Sequence, residues 1–234
     1  MALPALASPE FMTEIPSTKQ QIKFRPFLVR EEKILYMALE GQDAKEIQNA
    51  IMTILSNCIL DTVDVSKLTT FDIEYLFLQL RGKSVGEKVE LMLSHSDENN
   101  ECKHRTKIEV DLDSIKIEGE ISDGKLMLDD KIGVKVRYPY IDDTGKLANS
   151  QSQSDVFNTV ALFIEYVYDK ENVYNDFTKE EMIEWLEQLN QNQFKMIADH
   201  FQNMPKLAHT VEWTCPECKQ KDSIKLEGLQ SFFT

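Results

Sequence analysis

Cysteine is scarce in this chain, with four Cys among 234 residues. The first residues also lack the charged start and long apolar segment of a secretion signal. Disulfide bonds form and persist in oxidising compartments. The sequence therefore argues against a disulfide framework and predicts a protein of a reducing compartment, the cytoplasm by default.

Basic residues are too few to balance the acidic ones. The chain has 26 Lys and Arg against 40 Asp and Glu, which gives a formal net charge of −14. Nucleic-acid binding depends on Lys and Arg that neutralise phosphates, so we expect no nucleic acid partner. Long apolar runs are lacking too, and none reaches the roughly 20 residues of a membrane span.

A catalytic constellation is also lacking. Residues 82–84 resemble the end of a P-loop, but Phe77 stands where the motif needs glycine, and the segment follows a predicted helix instead of a strand. The acidic residues show neither an EF-hand pattern nor a distinct carboxylate pair. His200 and His209 have no nucleophile and acid arranged around them. The sequence predicts no enzyme.

The strongest fold signal lies in residues 68–87. Apolar side chains go most of the way round a helical wheel, which predicts a central helix that is buried on nearly all sides. Gly82 and Gly86 are expected to let the chain turn from this helix into a strand. The apolar residues are Leu68, Phe71, Ile73, Tyr75, Leu76, Phe77, Leu78 and Leu80.

The segments before the central helix show a strand and two helices. Residues 21–29 predict an edge strand, and residues 30–40 a helix that ends at Gly41. Asp43 is expected to cap the next helix, and Cys58 falls on its buried stripe as a core residue.

Two β-hairpins follow from alternating apolar residues. Residues 89–112 form the first, and the second has Cys215, Pro216, Glu217 and Cys218 at its tip.

Between the hairpins, residues 156–203 are predicted to be helical. Helices are expected at 156–167, 178–189 and 191–203, the second with a capping box of Thr178 and Glu181. No internal repeat is evident.

These patterns predict an α+β fold. Antiparallel hairpins form a small sheet with a zinc-ribbon-like pair of tips, helices pack around a buried central helix, and a helical insertion occupies the C-terminal half. The predicted segments are a vector-derived leader (1–11), an N-terminal α+β region (12–140), a linker (141–154), a helical region (155–204) and a C-terminal hairpin that rejoins the N-terminal sheet (205–234).

Cys215 and Cys218 are the most specific chemical signal. Two Cys three positions apart place both thiolates on one tetrahedral Zn²⁺, and zinc ribbons carry such pairs at hairpin tips. The first hairpin would add Cys102 and His104, with His95 as the alternative fourth ligand. The sequence thus leaves two interpretations open, a structural zinc site and a reduced, metal-free hairpin.

The same Cys spacing occurs in redox dithiols. There the first Cys lies at a helix N-terminus, where the dipole lowers its pKa. Residues 219–227 predict a turn and a strand instead, which disfavours redox chemistry.

Three blocks carry a family resemblance: IKFRPFLVREEKILYMALE (22–40), LTTFDIEYLFLQLRGKSVGEKVEL (68–91) and MPKLAHTVEWTCPECKQKDSIKLEGLQSFF (204–233). Taken together they resemble the baseplate hub proteins of T-even-type contractile-tailed bacteriophages, the group that includes the hub assembly protein. The resemblance covers nearly the whole chain after Met12. Members of that family often carry a second C-x-x-C in the first hairpin, where this sequence has only Cys102.

The resemblance implies a non-enzymatic, virus-encoded protein that acts through contacts with other baseplate hub proteins. It would be a structural hub component or an assembly chaperone, located in the host cytoplasm during assembly and, if retained, in the virion tail baseplate. Zinc would then join the two hairpins.

From the residues themselves we expect the partner surface on the helices of residues 156–203. Its aromatic residues exceed what three small helices need: Tyr166, Tyr168, Tyr174, Trp185 and Phe201. The alternatives are a tail-associated cell-wall hydrolase, which needs two carboxylates or a metal with an open position, and a zinc-ribbon adaptor or regulator.

Overall fold

The computed structural model describes residues 7–95, 102–143 and 153–232. Within these ranges the chain forms small antiparallel sheets and six α-helices, which confirms the predicted α+β class. The strands are β1 (Phe11–Glu14), β2 (Gln21–Phe24), β3 (Lys88–Leu93), β4 (Thr106–Asp111), β5 (Lys116–Glu118), β6 (Lys125–Met127), β7 (Gly133–Val136), β8 (Ile164–Tyr168), β9 (Val173–Tyr174), β10 (Lys206–Thr214) and β11 (Lys221–Glu227). The helices are α1 (Val29–Gly41), α2 (Ala44–Cys58), α3 (Thr70–Val85), α4 (Gln153–Phe163), α5 (Lys179–Glu187) and α6 (Gln191–Gln202).

The chain divides into two compact units. The first contains Met1–Val65, Phe71–Glu118 and Lys206–Thr234, and the second contains Ser66–Thr70 and Gly119–Pro205. Hairpins β1–β2 and β3–β4 and the sheet β11–β10–β5 belong to the first unit, and the sheet β6–β7–β8–β9 belongs to the second. The chain therefore leaves the first unit after β5 and returns to it with β10.

The central helix α3 is buried on most of its circumference, as predicted. Its buried residues include Phe71, Ile73, Leu76, Phe77, Leu78 and Leu80. The prediction that both glycines form the turn is wrong for Gly82, which lies inside the helix. Gly86 makes the turn alone, with a φ of 140° that a residue with a side chain rarely adopts.

The end of α1 differs from the prediction by one residue. Gly41 belongs to the helix, and Gln42 takes the left-handed conformation with a φ of 54°. The start of α2 is as predicted, because the Asp43 side chain accepts hydrogen bonds from the backbone N–H groups of Lys45 and Glu46. Cys58 is fully buried on the stripe that the pattern indicates.

The charged residues around the start of α1 are organised by a buried carboxylate. Glu31 is fully buried, and its Oε1 accepts hydrogen bonds from Arg25 Nη2 at 3.1 Å and Arg30 Nε at 2.7 Å. Its Oε2 accepts one from the backbone N–H of Leu28 at 2.8 Å. Burial alone would raise the pKa of Glu31, but these donors lower it to about 2. The charged cluster fixes the entry into α1.

The second unit contains more strand than the sequence pattern indicates. The predicted helix at 156–167 ends at Phe163, and β8 follows it at once. Residues of β8 pair with β7, for example Val167 with Val134, and this pairing overrides the helical spacing of the apolar side chains. Tyr166 and Tyr168 therefore lie on a strand, not on a helix.

The two later helices of the second unit are confirmed. Thr178 and Glu181 form the predicted capping box of α5, and Asn190 caps α6. The core of this unit combines strands and helices, and its fully buried members include Val134, Phe163, Leu186 and Ile197.

Of the predicted linker, residues 144–152 lie outside the described residues, and Ile141–Asp143 form a 3₁₀ turn. Among the helices that the structure describes, none has the length and apolar character needed to cross a bilayer.

Candidate metal centre

The candidate site is built from two hairpins of the first unit. In the β10–β11 hairpin seven residue pairs lie in register, and the tip between them holds Cys215 and Cys218. The β3–β4 hairpin has six residue pairs, with His95 two residues after β3 and Cys102 four residues before β4. The part of its loop at 96–101 lies outside the described residues.

The tip of β10–β11 is a tight turn whose backbone faces the thiols. Cys215 N–H donates to the Gln220 carbonyl at 2.9 Å, and Lys219 N–H donates to the Cys215 carbonyl at 3.0 Å. Hydrogen bonds from the backbone N–H groups of Cys218 and Glu217 lower the pKa of Cys215 to about 6 against the opposing effect of burial. Such donors stabilise a thiolate, which is the form that binds metal.

The structure brings four predicted candidate ligands together: His95, Cys102, Cys215 and Cys218. Their ligating atoms all lie within 4.8 Å of one another, so the four side chains could hold a metal ion. Cys102 Sγ is 3.8 Å from Cys215 Sγ, and Cys218 Sγ is 3.3 Å from His95 Nε2. The cluster is sheltered, since Cys215 is fully buried and the His95 side chain is 4% exposed.

Two of these distances fit tetrahedral zinc. With Zn–S bonds of about 2.3 Å and Zn–N bonds of about 2.0 Å, two sulfur ligands lie about 3.8 Å apart, and a sulfur and a nitrogen about 3.5 Å. The two distances within the cluster are close to these values. Three thiols and one imidazole are also a common structural zinc set.

The two candidate histidines occupy different places. His95 points Nε2 into the cluster, while its Nδ1 is 3.0 Å from Asp222 Oδ2. His104 lies outside the cluster, and its Nδ1 is 3.1 Å from Glu217 Oε2. Asp222 was not predicted from the sequence as part of the site. The available signal was its position on β11, four residues after Cys218.

Asp222 gives His95 a defined orientation. A carboxylate that accepts the Nδ1 proton leaves the Nε2 lone pair free to bind a metal, as in many carboxylate–histidine–zinc arrangements. The chain thus supplies four ligating atoms and a partner for the imidazole.

The remaining features argue against a redox dithiol. Cys215 follows β10 and precedes a turn and β11, so it does not lie at the start of a helix, unlike the first Cys of a redox dithiol. Cys58 is not part of the cluster. Burial, the largest effect, raises the pKa of Cys58 to about 11. Cys58 is therefore a core residue in this structure.

The β1–β2 hairpin has the same turn without the cysteines. Ile15 N–H donates to the Gln20 carbonyl at 2.9 Å and Lys19 N–H to the Ile15 carbonyl at 2.8 Å, matching the pattern at Cys215. Its residues 15–20 read IPSTKQ against CPECKQ at 215–220. Ile15 and Thr18 thus stand where the second turn has its two Cys. This short internal similarity was not predicted from the sequence.

Comparison with known proteins identifies a family. The family model described as T4 bacteriophage base plate protein matches residues 8–234. No curated protein and no solved structure matches the chain.

Proposed function

Because the chain belongs to the T4 bacteriophage base plate protein family, we propose that this structural base plate protein acts in the hub. It works there through contacts with other hub proteins, either as a retained component or as a chaperone during assembly in the host cytoplasm. The three sequence blocks that resemble hub proteins support this position. The lack of a catalytic constellation in the sequence bears only on the hydrolase alternative, which it does not favour.

The observation that supports a structural role over a catalytic one is the closed cluster of His95, Cys102, Cys215 and Cys218. Its four ligating atoms would complete a tetrahedral zinc shell and leave no position for substrate. Such a site is structural, whereas a metal-dependent hydrolase keeps one position open. We infer that zinc binds these four residues, with His95 in place of His104 as the fourth ligand.

The role of this site follows from the chain connectivity. The ligands come from two hairpins whose tips are more than 100 residues apart in sequence, with the second unit inserted between them. Zinc would therefore join the part of the first unit that precedes the insertion to the part that follows it. A fixed junction of this kind suits a protein that presents surfaces to partners in an assembly.

The test is co-expression of the tagged chain with the other base plate proteins of the same phage, followed by affinity capture. We expect capture of a hub protein by the wild type and by Cys58→Ala. The double variant Cys215→Ser/Cys218→Ser should lose bound zinc and capture less. Capture of only non-hub base plate proteins would contradict the hub assignment. Clearing of purified cell walls by the isolated protein would favour the hydrolase alternative.

A further inference from the structure

A groove in the second unit provides a candidate partner site. It has a volume of about 500 Å³ and lies between the β8–β9 hairpin and α5. Its lining includes Ile132, Tyr168, Tyr174 and Trp185 together with Asp169, Asp176 and Glu181. These residues combine a mostly apolar floor with three carboxylates.

The apolar part of the groove is accessible. Tyr174 is 52% exposed and Ile132 is 37% exposed, while Val173 next to the groove is 60% exposed. Trp185 and Tyr168 are partly buried and also line the groove. Exposed aromatic residues in a concave site are typical of protein interaction surfaces.

The groove and its surroundings are negatively charged. Asp169, Asp176 and Glu181 line the groove, and none of its lining residues is Lys or Arg. Residues 164–189 contain eight Asp or Glu and two Lys, which is a large share of the acidic excess of the whole chain. A groove of this charge attracts basic partners and repels acidic ones.

The sheet next to the groove has β9 as an edge strand. In the four-stranded sheet of the second unit, β9 pairs with β8 on one side and with no other strand that the structure describes. An outer strand can accept a further strand from a partner through main-chain hydrogen bonds. β9 has only two residues, Val173 and Tyr174, and the apolar floor and negative charge of the groove lie beside it.

We propose that this groove binds an extended, basic segment of another base plate protein. An apolar side chain of that segment lies between Tyr174 and Trp185, and its Lys or Arg side chains face Asp169, Asp176 and Glu181. This inference rests on the proposed function, since it names the chemistry of a partner in the same assembly.

Two of the three carboxylates also hold the local fold. Asp169 Oδ1 accepts hydrogen bonds from the backbone N–H groups of Glu171 and Asn172, and its Oδ2 accepts one from Tyr174 Oη. Glu181 belongs to the capping box of α5. Asp176 is exposed and outside both arrangements, so substitution there changes charge with little effect on folding.

The experiment uses the full chain with the co-expressed base plate proteins of the same phage as probes. Asp176→Lys reverses a charge in the groove, and Glu187→Lys makes the same change at an exposed position of α5 that does not line it. We expect Asp176→Lys to weaken capture of the partner at least tenfold and Glu187→Lys to leave it nearly unchanged. Capture by the wild type should also weaken as salt is raised.

A second pair of variants tests the apolar floor. Tyr174→Ala should weaken capture, while Tyr174→Phe, which keeps the ring and loses the hydrogen bond from the hydroxyl to Asp169, should retain most of it. Met196→Ala removes an apolar side chain that is 43% exposed outside the groove and serves as the control.

The outcomes separate this inference from the proposed function. If the wild type and Asp176→Lys capture the same hub protein equally well, the groove is not the site and the hub role stands. If the wild type captures no base plate protein, both proposals fail. Dimerisation of the isolated chain that Asp176→Lys abolishes would identify a second copy as the occupant and overturn the basic-segment proposal.

Discussion

Lys19 and Lys219 occupy equivalent positions in two matching turns, and both take a left-handed backbone conformation with φ of 60° and 61°. This conformation is uncommon for residues other than glycine. Because it occurs in both turns together with the same hydrogen bonds, the two turns are of the same type. In the first turn Ile15 is 1% exposed, and Ser17 donates from its backbone N–H and its hydroxyl to Asp72. The fold can therefore hold this turn without metal ligands.

Metal removal should therefore loosen the β10–β11 hairpin more than the β1–β2 hairpin. We expect a zinc chelator to raise amide hydrogen exchange in residues 206–227 and in the β3–β4 hairpin, because zinc joins these two segments. Residues 11–24 should keep their protection, since Ile15 and the Ser17 to Asp72 hydrogen bonds remain. Hydrogen exchange read by mass spectrometry measures the β1–β2 and β10–β11 hairpins in one sample. Equal loosening of the two would mean that metal stabilises the whole first unit.

The choice between the two histidines gives a direct test of the ligand set. We expect His95→Ala to lose most of the bound zinc, because it removes the nitrogen that lies 3.3 Å from Cys218 Sγ. His104→Ala should bind one zinc as the wild type does, since it loses only a pairing with the exposed Glu217. Metal content of proteins purified in parallel decides the matter. Retained zinc in His95→Ala with lost zinc in His104→Ala would reverse the assignment.

Local rules predict much of this fold from the sequence. The caps at Asp43 and Thr178 depend on side chains within three residues, and hairpin β10–β11 depends on alternation and a turn. The strand β8 could not be predicted in this way, since its apolar spacing suits a helix and only pairing with β7 decides its conformation.

The site was predictable in its chemistry but not in its choice of histidine. His95 and His104 each lie two residues from a strand end, so their spacing in the sequence does not show which of them is the ligand. Their different roles depend on Asp222 and Glu217, which come from the distant second hairpin. Local spacing cannot specify such contacts, because they form only when the two hairpins meet.

The buried Glu31 should make the protein sensitive to acid. Its pKa is about 2 in the folded state, against 4.5 for an unperturbed Glu side chain. The resulting stabilisation is complete above pH 4.5 and is lost as the pH falls towards 2. Glu31→Gln should lower the free energy of unfolding at pH 7 by about 2–4 kcal/mol, because Arg25 then lacks its charged partner.

Chemical denaturation between pH 3 and pH 7 measures this effect. The difference between Glu31→Gln and the wild type should shrink as the pH falls, whereas Glu40→Gln, at an exposed position of the same helix, should cost little at any pH. A constant difference across this range would argue against the charged form of Glu31 as the source.

Glu74 should have the opposite pH dependence. Burial raises its pKa to about 7, although the backbone N–H of Leu229 donates to it and partly offsets that shift. The folded state then holds a proton that the unfolded state has released, so stability declines from about pH 4.5 to pH 7. Glu74→Gln should raise the free energy of unfolding at pH 8 by up to about 3 kcal/mol and change it little at pH 4.

Denaturation at these two pH values, with Glu40→Gln as the common control, tests this prediction. A Glu74→Gln protein that is less stable than the wild type at pH 8 would show that the ionised carboxylate and Leu229 form a net stabilising contact.

Asp222 should control zinc affinity without binding the metal. Its Oδ2 lies 3.0 Å from His95 Nδ1 and fixes the ring so that Nε2 faces the thiols. Loss of such a partner typically lowers metal affinity 10- to 100-fold. We expect Asp222→Ala to show this decrease in competition with a chromophoric chelator, and Asp222→Asn, whose amide oxygen can still accept the Nδ1 proton, to recover part of it. Glu212→Gln, on the neighbouring strand, is the control.

Nitrogen NMR of the His95 ring adds a readout that a change in stability alone would not alter. In the wild type the ring should hold its proton on Nδ1. An unchanged ring signal in Asp222→Ala would show that Asp222 does not orient His95.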